Sequence, residues 1–230
     1  MCGRFILTSP IESIRQTFGV PANTAIPARY NIAPTQPILA VRLDEAGDRE
    51  LAALEWGLVP SWAKQRQDKP LINARFETAA VKPSFKGSYK RRRCLVPANG
   101  WYEWKTQGGE KQPWLIDHAG GSLIAFAGLW DTWHGSDGEN WLETVAILTS
   151  AATGPLKKIH HRRPLVLDTA EFADWLAPHD PLPRGFDTRF HWLPETAFTW
   201  RQVSKRVGNV RFDDASLLDP PEDTLQGTLL

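Results

Sequence analysis

The sequence has few cysteines, no large excess of either charge and no long hydrophobic run. Only two of its 230 residues are cysteine, and the N-terminus lacks a basic segment followed by an apolar one. A disulfide framework is therefore not expected, and the predicted compartment is the reducing cytoplasm. No apolar run is long enough to cross a membrane, so no membrane association is predicted. Because the formal net charge is only +1, any nucleic-acid surface must come from local basic clusters.

Motifs for metal ions and for phosphate-bearing cofactors are also missing. The segment Ile159-His160-His161-Arg162-Arg163-Pro164 contains two histidines, but no second cluster lies at ligand spacing, so zinc is rejected. No glycine-rich loop could cradle a phosphate, and there is no internal repeat or low-complexity linker. We predict no cofactor, no metal and a monomer.

The residues that are present indicate one globular domain in which strands form most of the core. Hydrophobic residues make up 42% of the chain and charged residues 23%, which is ordinary for a folded protein. Alternating apolar residues predict two hairpins, from Ile38–Leu43 to Glu50–Trp56 and from Gly100–Lys105 to Gln112–Asp117. Helices are few and short. One follows Ser9-Pro10, which combines a capping box with proline, and ends at Gly19; another begins at the capping box of Asp168.

The expected fold class is therefore α+β, with a single compact domain over residues 1–212. From Asp213 onward the chain is acidic, contains proline and shows no periodicity. Residues 213–230 are predicted to form a flexible C-terminal tail.

Cys2 directly follows the initiator methionine, and its small side chain favours removal of Met1. Removal would leave an α-amine and a thiol on adjacent carbons. Such an amine has a reference pKa of about 7.7–8.0, and a thiol titrates near about 8.5. With an aldehyde, the amine would form a Schiff base and the thiolate would close a five-membered thiazolidine ring. The alternative is that Cys2 is a loose terminal residue, as termini often are.

Several other polar residues each admit a functional and a structural interpretation. In the strand Gly100–Lys105, Trp101 and Glu103 share one face, and Tyr102 and Trp104 share the other. Glu103 is either a carboxylate whose pKa is raised by aromatic neighbours or an exposed hairpin residue.

Two basic segments also admit more than one interpretation. The tract from His160 to Arg163 is either a catalytic histidine with phosphate-binding arginines or a solvated corner. The basic run Lys86–Arg93 is a binding patch, a solvated face or a charged strand edge, and the Cys94 that follows it is expected to be a small core residue.

Five segments together resemble the SRAP (SOS response-associated peptidase) family. They are Met1-Cys2-Gly3-Arg4-Phe5, Tyr30-Asn31-Ile32-Ala33-Pro34, Ile72-Asn73-Ala74-Arg75, Gly100-Trp101-Tyr102-Glu103-Trp104 and Ile159-His160-His161-Arg162-Arg163-Pro164. The resemblance runs in order from Cys2 to about Val210. It implies a compact domain with a β-rich, mostly antiparallel, barrel-like core.

The resemblance also implies an activity. In this family the N-terminal cysteine forms a thiazolidine with the aldehyde of an abasic site in single-stranded DNA, and the crosslink shields the lesion. The expected partner is therefore single-stranded DNA that contains abasic sites. By motif position, Cys2 would be the nucleophile, surrounded by Asn73, Glu103 and His160. The expected DNA-binding residues are Arg4, Trp62, Arg75, Trp104, Thr149 and Arg162.

The residue types suit this chemistry. His160 could protonate the sugar ring oxygen, Glu103 could shuttle protons at the Schiff base, and Asn73 could orient an amine or a hydroxyl. Arginines hold phosphates, and aromatic side chains stack on bases without sequence preference. Two other functions are compatible with the same residues: an N-terminal-nucleophile peptidase or amidase, including self-removal of Met1, and a noncovalent single-strand binder.

Overall fold

Two β-sheets form the framework of the fold. A computed structural model describes residues 2–21, 25–135, 138 and 141–221. The strands are β1 (Phe5–Leu7), β2 (Arg29–Ile32), β3 (Pro37–Leu43), β4 (Arg49–Trp56), β5 (Asn73–Arg75), β6 (Arg93–Ala98), β7 (Gly100–Gln107), β8 (Glu110–His118), β9 (Ile124–Trp133), β10 (Leu142–Ala151), β11 (Arg162–Pro164), β12 (Val166–Leu167) and β13 (Phe198–Gln202). The α-helices of the described residues are α1 (Ile11–Phe18), α2 (Phe76–Ala79), α3 (Pro83–Arg91) and α4 (Phe172–Leu176).

The larger sheet closes into a barrel through the strand order β10-β4-β3-β6-β9 and back to β10. The closing contact is parallel, between β4 and β10, with Glu55 opposite Thr144. The other neighbours in this ring pair antiparallel. β5 adds to β10 in parallel, with Asn73 opposite Ile147. The predicted α+β class and the mostly antiparallel, barrel-like core are confirmed.

The second sheet is antiparallel in the order β13-β8-β7-β1-β2, so the N-terminal strand lies inside it rather than at an edge. Its inner face packs on the barrel, where the ring of Phe5 lies 5.2 Å from Trp56 and 5.8 Å from Phe126. Trp101 of β7 packs in the same core, whereas Tyr102 belongs to a separate cluster on the outer face. The predicted alternation along β7 is therefore confirmed.

Helix α1 ends as predicted but begins differently. Gly19 adopts the left-handed conformation (φ 63°), and its N–H donates to Arg15 O, which terminates the helix. The predicted capping box at Ser9 is wrong, because Pro10 is the N-cap and no side chain caps the helix. The Ser9 backbone N–H and hydroxyl instead bond to the side chain of Asn99 at 3.0 and 2.8 Å.

The basic run Lys86–Arg93 lies mostly on α3, a helix that the sequence interpretation missed. Several of its cations are already bound within the fold: Lys90 to Asp180 at 2.9 Å and Arg92 to Asp131 at 2.9 Å. Arg93 is buried and donates to the backbone carbonyl of Trp175 at 2.6 Å. The run therefore consists largely of structural contacts. Cys94 is fully buried in the barrel core, as expected.

The segment after Asp213, assigned to a tail from the sequence, is packed on the domain for its first residues. The Asp213 carboxylate accepts hydrogen bonds from the backbone N–H groups of Tyr30 and Asn31 at 2.5 and 2.9 Å. Leu217 is fully buried in the outer cluster. The packed part of the chain thus extends past residue 212, and the expected tail over residues 222–230 lies outside the described residues.

Candidate active site

Cys2 lies just before β1 and has no exposed surface. Its Sγ lies 4.0 Å from the backbone oxygen of Arg4. Burial raises the pKa of the Cys2 thiol above its ordinary range, and the negative charge of Glu103 raises it further. The thiol is therefore protonated near neutral pH and needs a neighbouring base to react. The interpretation of Cys2 as a loose terminal residue does not fit this burial.

Asn73 holds the backbone of Cys2 from the barrel side. It is the first residue of β5, which β10 fixes in place. Its Nδ2 donates to Cys2 O at 2.8 Å. Its Oδ1 is buried and accepts no hydrogen bond from the described residues. A buried acceptor without a partner is costly, so this oxygen is suited to a donor that arrives from outside the chain, such as a hydroxyl.

Glu103 projects from β7 into the region of Cys2 and Asn73. The residue is only 4% exposed, so the interpretation as an exposed hairpin residue is wrong. Burial raises the pKa of its carboxyl to about 7. A group with this pKa holds and releases a proton with comparable ease near neutral pH, which suits general acid–base catalysis.

His160 follows a short 3-10 turn, Leu156–Lys158, and its Nδ1 lies 3.8 Å from Glu103 Oε2. Burial lowers the pKa of the imidazole below its ordinary value, so the neutral ring predominates near pH 7. The Arg162 backbone N–H donates to Nδ1 at 3.0 Å, which puts the proton of the neutral ring on Nε2. When the ring is protonated, Nδ1–H can instead donate to Arg162 O, also at 3.0 Å. A small cavity lies beside His160, and Trp101, Glu103 and Arg162 help to line it.

Two expected DNA contacts are available on the surface. Arg75, at the end of β5, is exposed. Trp62 is 63% exposed, yet its loop is fixed on both sides. The Ser61 N–H donates to Asp131 Oδ2 at 3.0 Å, and Trp133 Nε1 donates to Ala63 O at 2.7 Å. An exposed indole on a loop whose backbone is held in place is suited to stacking on a base. Trp104 is half-buried against the outer cluster.

Arg4 and Thr149 occupy positions that differ from the expectation. Arg4 Nη1 donates to Asn31 Oδ1 at 2.9 Å and to Val207 O at 2.8 Å, so this nitrogen is used to hold the C-terminal segment. Thr149 is fully buried, and its side chain accepts a hydrogen bond from Arg162. In this structure Thr149 supports Arg162 and presents no surface to a DNA strand.

Arg162 is buried and already paired with a residue that the sequence interpretation missed. Its guanidinium forms an ion pair with Glu77 at 2.7 Å. Glu77 lies on the one-turn helix α2, two residues after Arg75, and only this proximity in sequence hinted at a role. No group of three or more His, Cys, Asp or Glu side chains within the described ranges could hold a metal ion. Across the part of the chain that the structure covers, no helix has the length and apolar character of a membrane span.

These features define a protein whose second residue, a buried cysteine, lies with an asparagine, a glutamate and a histidine at the junction of a β-barrel and a second sheet. The chain belongs to the family described as SOS response associated peptidase (SRAP), whose profile matches residues 1–210. The resemblance found in the sequence is thereby confirmed.

Two bacterial relatives match over nearly their whole length. The abasic site processing protein YoqW of Bacillus subtilis is 37% identical over 225 residues, covering 95% of this chain and 99% of YoqW. The abasic site processing protein YedK of Escherichia coli is 36% identical over 231 aligned positions, covering 96% and 100%. A crystal structure of a Bacteroides thetaiotaomicron protein superposes with a TM-score of 0.83 at 21% identity, covering 95% of this chain and 99% of that one. This last likeness shows the fold alone.

Proposed function

We propose that this protein processes abasic sites in single-stranded DNA by forming a covalent crosslink through Cys2 after Met1 is removed. The names of YoqW and YedK support abasic sites as the target. The observation that carries the proposal is the convergence of four polar groups from distant parts of the chain. Asn73 bonds to Cys2, the Glu103 charge acts on the Cys2 thiol, and His160 lies against Glu103.

The reaction begins with the abasic sugar, which is mostly a closed hemiacetal. Opening it breaks the ring C–O bond, puts a proton on the ring oxygen and removes the proton of the anomeric hydroxyl, whose oxygen becomes the aldehyde oxygen. The Cys2 amine then adds to the aldehyde carbon, and loss of one water gives the Schiff base. Finally the Cys2 sulfur adds to the imine carbon while the nitrogen takes up a proton, which closes the thiazolidine. The sum of these steps releases one water and changes no oxidation state.

Glu103 is the group best suited to move the protons at the Schiff base, because its pKa of about 7 lets it act as acid and as base. Its charge also acts on the Cys2 thiol, which burial keeps protonated, so Glu103 is the candidate base for the thiol proton. His160 delivers the proton to the ring oxygen from its protonated form, which is the minor form near pH 7 because burial lowers the pKa of the ring. Asn73 Oδ1, without a partner among the described residues, accepts from the Cys2 amine or a sugar hydroxyl.

Around this centre, Arg75 would contact the DNA backbone and Trp62 would stack on a base. Neither contact depends on base identity, which fits a lesion that occurs in any sequence. A strand held in this way would cover the lesion on one side, and the covalent bond would keep it covered.

The deciding experiment is the intact mass of the protein after mixing with an oligonucleotide that contains one abasic site. The expected product is lighter than the sum of Met1-processed protein and DNA by one water. Cys2→Ala and Cys2→Ser both keep the α-amine and lose the thiol, so neither should give the stable adduct, and each should give only a Schiff base that borohydride traps. Active protein that retains Met1 would contradict the mechanism.

The same samples distinguish the two other functions. Steady hydrolysis of peptide substrates without a DNA adduct would identify an N-terminal-nucleophile peptidase. Undiminished DNA binding and lesion protection by Cys2→Ala would identify a noncovalent binder.

A further inference from the structure

The guanidinium of Arg162 binds a carboxylate with the same geometry that it would use to bind a phosphate. Nη1 donates to Glu77 Oε1 at 2.7 Å, and Nη2 donates to Glu77 Oε2 at 3.0 Å. These two parallel bonds are the bidentate geometry with which arginine binds both carboxylates and phosphates. One edge of a guanidinium holds one oxyanion, so a phosphate can take this edge only after Glu77 leaves it.

The two partners of this pair differ in how freely they can move. The Arg162 side chain is 9% exposed, whereas that of Glu77 is 48% exposed. Arg162 is also held by Thr149 of β10, because Nη2 donates to Thr149 O at 2.5 Å and to Thr149 Oγ1 at 3.2 Å. Glu77 can therefore rotate into solvent and regain hydration, while Arg162 keeps its place.

Arg162 also has a donor that the folded chain does not use. Its Nε is buried and has no hydrogen-bond partner among the described residues. Such a donor is costly to leave unpaired, so an additional oxygen at this side chain would be favourable. The residue helps to line the cavity next to Glu103 and His160, so this side chain lies beside the proposed reaction centre.

We propose that Glu77 is an internal anion that occupies Arg162 in the DNA-free protein, and that a backbone phosphate of the bound single strand displaces it. This inference rests on the proposed function for the identity of the incoming anion. Glu77 then weakens binding of every single strand by the cost of breaking the pair. It also keeps the buried Arg162 charge neutralised when no DNA is bound.

The first test measures noncovalent affinity for an undamaged single-stranded oligonucleotide, so that crosslinking does not contribute. Glu77→Gln removes the charge and keeps the shape, and it should tighten binding about three- to tenfold, as expected for a partly exposed ion pair that no longer has to break. Arg162→Ala should weaken binding, and the double variant Glu77→Gln/Arg162→Ala should bind like Arg162→Ala. Glu45→Gln, which removes an exposed charge in the β3–β4 turn, is the matched control and should leave affinity unchanged.

The second test does not depend on DNA at all. Glu77→Gln leaves the buried Arg162 without its counter-charge, so the variant should melt at a lower temperature than the wild type. Inorganic phosphate should raise the Tm of Glu77→Gln by a few degrees more than chloride at equal ionic strength, and it should do little for the wild type. If the protein bound no single strands, this phosphate effect would still report on the Arg162 site, so failure of the proposed function is separable from failure of this inference.

Two results would overturn the proposal. One is a folded Glu77→Gln that binds single strands no better than the wild type and shows no phosphate effect. The other is an equal gain in affinity when Glu77→Gln is made in the Arg162→Ala background, which would mean that Glu77 only repels DNA at long range. If Glu77→Gln is too unstable to measure, Glu77→Asp keeps the charge but shortens the reach. It should then show a smaller gain in affinity that also disappears with Arg162→Ala.

Discussion

At the scale of single residues, the unusual feature is a carboxyl group buried beside a buried thiol. Burial alone would keep both groups protonated, because neither charge is well solvated. Glu103, with a pKa of about 7, titrates first, and its charge opposes ionisation of Cys2. The pair can therefore pass one proton between them but is not expected to hold two negative charges at once.

The first prediction separates the roles of Glu103 and His160. His160→Ala should slow crosslinking to a natural abasic site but have much less effect on a substrate that is already an open aldehyde. Glu103→Ala should slow crosslinking to both substrates, and also any reversal of the crosslink. Losses of about 10²–10⁴-fold are expected for general acid–base groups. The measurement is a time course of adduct formation for both substrates, and equal losses in all four combinations would show that the roles are divided differently.

The second prediction concerns stability and pH. The pKa of Glu103 is raised in the folded state, so folding takes up a proton between about pH 4.5 and 7. The free energy of unfolding of the wild type is therefore highest below this window. It falls as the pH rises through the window, and the loss is complete above the folded-state pKa of about 7. Glu103→Gln cannot ionise, so its stability relative to the wild type should rise by up to about 3 kcal/mol between pH 4.5 and 8. Urea unfolding at several pH values measures this difference, and a constant difference across the range would contradict the assigned pKa.

At the scale of elements, the placement of Cys2 depends on close packing of β7 under β1 and against β8. Gly100 pairs with Ile6 on one side and with Asp117 on the other. A Cβ at Gly100 would lie 2.6 Å from the backbone oxygen of Ile116, a distance that cannot be relieved by a side-chain rotation. Any larger residue must push the strands apart next to the cysteine.

The third prediction is that Gly100→Ala lowers stability by about 1–3 kcal/mol, the usual cost of overpacking a core, and slows crosslinking because β1 shifts. Gly87→Ala is the matched control. Gly87 lies within α3 and has only Arg92 Nη2 nearby, at 3.6 Å, so this change should stabilise the helix by up to about 1 kcal/mol. Thermal denaturation of the two variants should move in opposite directions.

How much of the fold the sequence could predict depends on how far apart in sequence the interacting residues are. The hairpin β7–β8, the alternation along it and the end of α1 at Gly19 depend on neighbours, so local patterns were sufficient. The sequence could not show that Asn73 and Cys2 meet, because that contact needs the finished barrel. The same holds for the Glu77–Arg162 pair. Helix α3 was also missed, because its sequence is mostly polar and basic. Its apolar side is formed by few residues, such as Phe85 and Tyr89, so the hydrophobic pattern of a helix is weak there.

At the scale of the whole molecule, the segment from Val207 to Asp213 packs against β2, the edge strand of the sheet that contains β1. Asn31 Nδ2 donates to the carbonyls of Val207, Asn209 and Phe212, at 3.2, 3.1 and 2.9 Å. Asp213 caps the backbone of the same strand. The contacts of Asp213, the first residue of the predicted tail, do not follow from the acidic, aperiodic composition that suggested it.

The fourth prediction compares two truncations. A chain that ends at residue 221 should match the full chain in Tm and in crosslinking. A chain that ends at residue 212 loses Asp213 and the buried Leu217, and the removal of one buried leucine side chain alone costs about 2–5 kcal/mol. It should therefore melt well below the longer chain, as measured by calorimetry. Equal melting temperatures for the two truncations would show that the segment contributes nothing to the fold.

The strand β1 is synthesised well before the residues that hold it in place. Its partner β7 begins at Gly100, and Arg4 reaches the carbonyl of Val207, 203 positions further along. At about 5–20 residues per second, synthesis of the intervening chain takes roughly 10–40 seconds. If the sheet forms only once these contacts are available, the proposed removal of Met1 can take place during that interval, before the finished fold encloses Cys2. Under the proposed function, the long span of sequence between Cys2 and the contact at Val207 would therefore allow N-terminal processing to precede assembly of the site.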